Sequence, residues 1–371
     1  MSARSGAPGD SGDSGELFRV TMAAGFESVV RRALEADLVH VEVSEVSSGS
    51  ILLRAPGTES QALVALPYLS LALRQLVRVD DRSIDAAVVA LARQLRRRRP
   101  EASPGRAASG RFRLRVSDAG SLVRIDQRAR IELENAVSAW SGARPDPRGG
   151  GAELWVIRRR DEREVSLSVR LGSATVGKAA RGSLKADLAA AFVRTVVCGA
   201  DDVVVDPFAG SGAIAQARAR YPHGRILATD IDRTCVCGLD ALRASGRLGR
   251  HATVGRLDAR DTAGLVNLLG GQQVDAVLTD PPWGQFPGQA ADIDRLYRAA
   301  FATIDSVLAP AGRVVLLTAA AAVAEQSMHR LGFGLSESFP VLVNGKKASV
   351  LVAARQAVGR GAVSSRSGST A

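Results

Sequence analysis

The chain has 371 residues, 46% of them hydrophobic and 23% charged, and its 49 Lys and Arg against 38 Asp and Glu give a net charge of +11. That length exceeds one ordinary core, so two or three domains are expected, and no apolar run approaches the eighteen or so residues of a membrane span. Three cysteines (Cys198, Cys235 and Cys237) and four scattered histidines argue against a metal site and point to a reduced, cytoplasmic setting. The excess of arginine predicts a polyanionic partner, with a merely solvated basic surface as the alternative.

Residues 1–15 are polar, rich in Gly and Ser, and lack the apolar centre of a secretory signal; they are expected to be a disordered tail. Residues 16–59 read as a small α+β unit. Phe26, Val29, Val30, Ala33 and Leu34 recur on one helix face, Val39, Val41 and Val43 alternate as in a half-buried strand, and Ile51 to Leu53 follow a Ser/Gly turn.

A second unit is expected over residues 60–176. Ile84, Val88, Leu91 and Leu95 form a helical stripe ending in Arg96 to Arg99, and Pro100 to Gly110 reads as a loop. The strand Arg111 to Val116 places Phe112, Leu114 and Val116 on one face and three arginines on the other. Leu133, Val137 and Trp140 mark a further helix, followed by a Pro/Gly-rich turn and strands over Glu153 to Arg158 and Glu164 to Arg170.

Beyond Ser173 strands and helices alternate, as in a parallel sheet covered on both faces. Strands are expected at Val203 to Asp206, Arg225 to Asp230, Ala252 to Arg256, Asp275 to Asp280 and Arg313 to Thr318. Helices are expected near Leu184 to Val197, Gly212 to Arg220, Arg233 to Ala244, Asp261 to Leu269 and Ile293 to Leu308. Phe339 to Val343 and Ser349 to Ala353, joined through Asn344-Gly345, predict a closing antiparallel hairpin, with Pro340 tolerated at the start of its run. The fold class is thus an α+β N-terminal region followed by a Rossmann-like α/β domain over 177–357, with residues 358–371 as a second tail.

Two motifs carry chemistry. Asp206 to Ile214 read DPFAGSGAI: the Val203-Val204-Val205 strand delivers Asp206 to the carboxyl edge of the sheet, and Gly210-Ser211-Gly212 lets backbone approach a ligand. Gly210, Gly212 and Ala215 also fit the dinucleotide pattern, but the Asp206-Pro207-Phe208 lead-in does not, and it favours S-adenosylmethionine. Asp230 is placed to accept hydrogen bonds from ribose hydroxyls and Ile231 to lie against adenine. Asp258 suits either the adenine amino group or the N-cap of the following helix.

Thr279 to Gly284 read TDPPWG. An exocyclic amine on a heteroaromatic ring is a poor nucleophile because its lone pair is delocalised. Asp280 and the Pro281 carbonyl can accept its two N–H groups and turn the lone pair towards a methyl donor, while the prolines fix φ and remove competing donors. Trp283 offers a face for stacking, worth about 1–3 kcal/mol per base. The alternative is an ordinary strand-ending turn.

These residues resemble the amino methyltransferases with an acid-or-Asn, Pro, Pro, aromatic motif, which act on adenine N6, cytosine N4, guanine N2 or a glutamine amide. Leu17 to Ala36 (LFRVTMAAGFESVVRRALEA) resembles the opening of THUMP-domain RNA guanine-N2 methyltransferases, with Gly25-Phe26-Glu27 at their Gly, apolar, Glu positions. The segments around Leu66 to Leu76, Arg111 to Val116 and Glu132 to Val169 resemble that family's THUMP region, and Gly182-Ser183-Leu184-Lys185 resembles the start of its catalytic domain. The likeness implies a small ferredoxin-like unit, a THUMP-like RNA-binding domain over 60–176 and N2-methylation of guanosine in tRNA by a cytoplasmic, metal-free and monomeric enzyme. Leu184, Asp206, Phe208, Ala209, Gly210, Ser211, Gly212, Asp230, Ile231, Asp258 and Ala259 would then hold S-adenosylmethionine, and Asp280, Pro281, Pro282 and Trp283 the guanine. Trp283 departs from the commoner Tyr or Phe. An rRNA guanine-N2 or DNA adenine-N6 methyltransferase and a non-catalytic RNA-binding protein are the rival readings.

Overall fold

The structure, a computed structural model, describes residues 15–99, 110–148, 151–160, 163–172, 183–284 and 290–356. The expected tails (Gly15 apart), most of the 100–110 loop and Gly182 lie outside these residues. The chain divides into two compact units, Met1–Ala179 with Lys185–Arg194, and Ala180–Leu184 with Thr195–Ala371.

The first unit runs β1 (Glu16–Thr21), α1 (Glu27–Asp37), β2 (Glu42–Ser47), β3 (Ser50–Ala55), α2 (Ser60–Ala65), β4 (Leu71–Asp80), α3 (Ile84–Arg96) and β5 (Arg111–Asp118). It continues through β6 (Ser121–Leu122), α4 (Gln127–Ser141), β7 (Arg144–Pro145), β8 (Ala152–Arg158), β9 (Glu164–Gly172) and α5 (Ala186–Val193). Its strands form one sheet in the order β2-β3-β1-β4-β9-β8-β5-β6, with β7 on β5. The sheet therefore continues across the boundary expected near residue 60. Val39 and Val41 lie outside β2, and Val39 is 64% exposed. The positive φ of 60° at His40 turns the chain there, and β2 is an edge strand with little to bury.

Phe112, Leu114, Val116, Leu154, Val156, Leu167 and Val169 share the buried core with apolar residues of α3 and α4. On the opposite face Arg113, Arg115 and Arg170 converge on Glu153, at 3.2 Å for Arg115 and 2.6 Å for Arg170. Burial works to raise the Glu153 pKa, but hydrogen bonds from Arg113 and Arg170 and the Arg170 and Arg115 charges hold it down at about 2. Arg115 also sits 5.5 Å from the centre of the Trp155 ring. The sequence places α5 at the start of the catalytic domain, yet it groups with the first unit, where Ser70 donates to Asp187 and Arg194 pairs with Asp37 at 2.8 Å.

The second unit runs β10 (Val203–Asp206), α6 (Ala213–Arg218), β11 (Arg225–Asp230), α7 (Arg233–Ala244), β12 (Ala252–Arg256), α8 (Thr262–Leu269) and β13 (Val274–Thr279). It ends with α9 (Ala290–Val307), β14 (Leu308–Thr318), α10 (Ala321–Arg330), β15 (Phe333–Val343) and β16 (Lys346–Arg355). The sheet order is β12-β11-β10-β13-β14-β16-β15, with β10 to β14 parallel and β16 antiparallel to both neighbours. Val203-Val204-Val205, Ala276-Val277-Leu278 and Val314 to Leu317 are buried, as strands covered on both faces require. The order reverses between β10 and β13. Ligands bind at such a switch point, outside the carboxyl ends of the strands.

Val343 pairs directly with Lys346, so Asn344 and Gly345 alone form the turn, with φ of 51° and 81°. Two positive φ angles match the type I′ turn of tight hairpins. Pro340 lies inside β15, opposite Ser349, and not at the start of its run; it is tolerated because β15 is the sheet edge. Gly345→Ala puts a Cβ into a left-handed conformation. A loss of about 1–2 kcal/mol is expected, read as a shift in the denaturant midpoint.

Candidate active site

The carboxyl ends of β10, β11 and β13 border a cavity of about 790 Å³ within the second unit, large enough for a nucleoside cofactor and part of a substrate. Leu184, Phe208, Gly210, Asp230, Ile231, Asp258, Ala259 and Asp280 to Trp283 all line it. Asp206, Ala209, Ser211 and Gly212 do not. They shape the turn behind the wall: Gly212 N–H donates to the Ala209 carbonyl at 2.7 Å, and the Ser211 and Ser183 hydroxyls lie 2.6 Å apart.

The two turn glycines have different duties. Gly210 (φ 51°) has open space where a Cβ would stand, so its backbone is bare towards the cavity. A Cβ on Gly212 (φ 78°) would lie 2.7 Å from Leu239, so that glycine serves the packing of α7. Asp230 accepts from Gly210 N–H and Asp232 N–H, each at 2.8 Å, one per oxygen. A carboxylate has about four acceptor sites, so both oxygens keep a lone pair for a ligand.

Asp258 is not a helix cap. Asp261 takes that place on α8, accepting from Gly264 N–H at 2.9 Å. Both oxygens of Asp258 instead face the Arg260 guanidinium, at 2.9 and 2.6 Å, and the hydrogen bond from Arg260 lowers its pKa.

At the end of β13, burial pushes the Asp280 carboxyl up to about 7, opposed by the Trp283 indole N–H donating to Oδ1 at 2.8 Å. Among the described residues, nothing donates to Asp280 Oδ2 or to the Pro281 carbonyl. Gly284 follows with φ 64°, and a Cβ there would come 2.4 Å from Ile293 Cγ1. Sequence reasoning missed Ser183, Pro207, Leu257, Arg260, Gly284, Leu296, Val343, Asn344 and Lys346 in the wall. Pro207 and Gly284 belong to the DPFAGSGAI and TDPPWG motifs themselves. The hairpin tip was not, because only the tertiary fold brings Val343, Asn344 and Lys346 to the cavity.

Asp206 is 3% exposed; Thr279 Oγ1 donates to its Oδ1 at 2.7 Å, and Oδ2 has no partner among the described residues. Burial is the largest influence on this carboxyl. The Thr279 hydroxyl and the Phe208 N–H oppose it and the Asp280 and Asp230 charges add to it, pushing the pKa up from 3.8 to about 7. Between those values only the unfolded chain ionises, so this group makes stability fall as pH rises. Asp206→Asn removes that penalty. Its gain over the parent should grow by about 1.4 kcal/mol for each step of one in pH, from near zero at about pH 4 to a few kcal/mol above about pH 7; a gain independent of pH in thermal melts would contradict the buried neutral carboxyl.

Sheet order, glycine turn and rim together define a Rossmann-like domain of methyltransferase-like fold. Residues 177–346 match the family model described as UPF0020, RMKL-like, methyltransferase domain. The chain is 31% identical over 116 residues to a tRNA (guanine(10)-N2)-dimethyltransferase of Methanocaldococcus jannaschii, covering 31% of this chain and 33% of that protein. It is 34% identical over 169 residues to a tRNA (guanine(6)-N2)-methyltransferase of Thermus thermophilus, covering 44% and 48%. These matches span a third to a half of the relatives' length. The crystal structure of TrmN from Thermus thermophilus superposes with a TM-score of 0.73 at 25% identity, over 92% of this chain and 99% of that one.

Among the described residues, no helix is long and apolar enough to cross a membrane, and no group of three or more His, Cys, Asp or Glu is placed to hold a metal ion.

Proposed function

We propose that the protein is an S-adenosylmethionine-dependent methyltransferase acting on the exocyclic N2 amine of a guanosine in tRNA. The observation that carries this reading is the placement of Asp280 Oδ2 and the Pro281 rim on the same cavity as Gly210 and Asp230. An amine held by the first pair faces a cofactor held by the second.

The residues fit the cofactor. Gly210 presents bare backbone, Asp230 keeps two acceptor positions for ribose hydroxyls, and Ile231, 56% exposed, offers an apolar surface to adenine. Bound there, S-adenosylmethionine supplies an electrophilic methyl group on a sulfonium. The chain supplies position and proton handling. Asp280 Oδ2 and the Pro281 carbonyl accept the two amine N–H groups and aim the nitrogen lone pair, and Asp280 takes the proton that leaves. Trp283 keeps its N–H on Asp280 while its ring face offers a base about 1–3 kcal/mol of stacking, offsetting part of the few kcal/mol needed to turn a nucleotide out of a helix.

The tRNA reading draws on the two curated relatives, both named tRNA guanine-N2 enzymes. In it the first unit, read as a THUMP-like RNA-binding domain with a ferredoxin-like start, grips the RNA by shape and phosphate. A cytoplasmic monomer is part of the same reading.

Asp280→Ala is expected to abolish methyl transfer while calorimetry still shows cofactor binding. A protonated Asp280 cannot accept the amine N–H, so the single-turnover rate should fall about tenfold for each step of one in pH below about 7 and level off above it; a flat profile from pH 5 to 8 counts against this role. Mass spectrometry of nucleosides from a deletion strain should show N2-methylguanosine lost from tRNA. Loss from rRNA would point to the ribosomal alternative, and no loss together with no cofactor binding would point to a non-catalytic protein.

A further inference from the structure

Within the catalytic turn the Trp283 indole N–H is spent on Asp280. Pro281 and Pro282 have no N–H to donate, so the turn offers carbonyls and must be tied by donors from elsewhere. Helix α9 provides one such donor. Ile293 lies against Gly284, and four residues on, the Tyr297 hydroxyl lies 2.9 Å from the Pro282 carbonyl. Tyr297 Oη is also 2.8 Å from Thr318 Oγ1 at the end of β14, and that oxygen lies 2.9 Å from the Ala320 nitrogen.

The two ends of this chain fix its direction. The Ala320 N–H can only donate and the Pro282 carbonyl can only accept. Tyr297 therefore gives its single proton to Pro282, and Thr318 gives its own to the Tyr297 oxygen. Both side chains are buried, at 1% and 0% exposure, so water does not compete for these bonds. The Tyr297 ring is further set by an edge contact with Phe301 at 5.6 Å between ring centres.

We propose that Tyr297 and Thr318 are positioning residues for methyl transfer: a one-way run of three hydrogen bonds clamps the Pro282 carbonyl and so sets the peptide plane from which Trp283 departs. That plane decides where the indole meets Asp280, and hence where the open carboxylate oxygen stands. The inference rests on the reading of the turn as the amine site.

The test uses Tyr297→Phe, Thr318→Val and Thr318→Ser in the full chain, assayed with a tRNA substrate. Tyr297→Phe should lower kcat by roughly ten- to a hundredfold, the scale of a small misplacement of reacting groups, with KM for S-adenosylmethionine unchanged. Thr318→Val should act in the same direction and Thr318→Ser, which keeps the hydroxyl, should restore activity. Because both hydroxyls serve one chain, the double variant should be little worse than the poorer single one. Parental kcat in a folded Tyr297→Phe protein, a fall in melting temperature alone, or a Thr318→Ser no better than Thr318→Val would overturn the proposal. Emission of Trp283 in a Trp140→Phe, Trp155→Phe background reads the clamp without any reaction. It should move to longer wavelength with Tyr297→Phe, and unchanged emission overturns the clamp. A parent chain that transfers no methyl group to tRNA while the emission shift is present would instead refute the functional reading.

Discussion

The hydrogen bond from Thr279 to Asp206 ties together the two strand ends that carry the site, beyond the ladder that pairs β10 with β13. Each residue ends a strand, and the strands are the pair between which the sheet order reverses. Behind Asp206 comes the glycine turn that opens backbone to the cavity, and beyond Thr279 comes the proline turn that carries Asp280. Ladder and bond together set the spacing between the glycine turn and the proline turn. They also gather carboxyls: Asp206, Asp230 and Asp280 are close enough that the charges of the other two help raise the Asp206 pKa. Burying acids together is costly, and the site tolerates it by leaving two of them poised near neutrality.

The core of this arrangement was legible in the sequence because it is local. Five parallel strands announce themselves as short apolar runs alternating with helices, and Arg225 to Asp230 and Ala252 to Arg256 fall where the pattern places them. The hairpin was legible from Asn344-Gly345 alone. Helix α10 was not, since its buried residues are Ala324, Ser327 and Met328, a stripe too small and polar to stand out. In the cavity wall, motif residues were found and tertiary neighbours were not. Tyr297 and Lys346 reach the site from a helix and a strand whose own periodicity is explained by packing, so no local pattern marks them.

The arginines of the first unit show how composition can mislead about place. The alternating Arg111, Arg113 and Arg115 suggest a positive stripe, yet Arg113 and Arg115 share Glu153 with Arg170, and Arg111 pairs with Asp146 at 3.2 Å. The cluster around Glu153 keeps a surplus of two positive charges, held in fixed geometry by an acid that stays ionised down to about pH 2. Part of the net charge is therefore internal scaffolding. A partner's phosphates would meet an already ordered array, which lowers the entropy lost on contact.

The hairpin tip has a bearing on biogenesis. Ser183, at the start of the second unit, and Asn344 and Lys346, near its far end, line the same cavity. A ribosome releases chain from the N-terminus onward, at about 5–20 residues per second. The proline turn that carries Trp283 thus emerges well before the segment that completes the cavity wall. A nascent polypeptide lacks the finished chamber, whose wall closes only once β16 has been extruded and annealed onto β14.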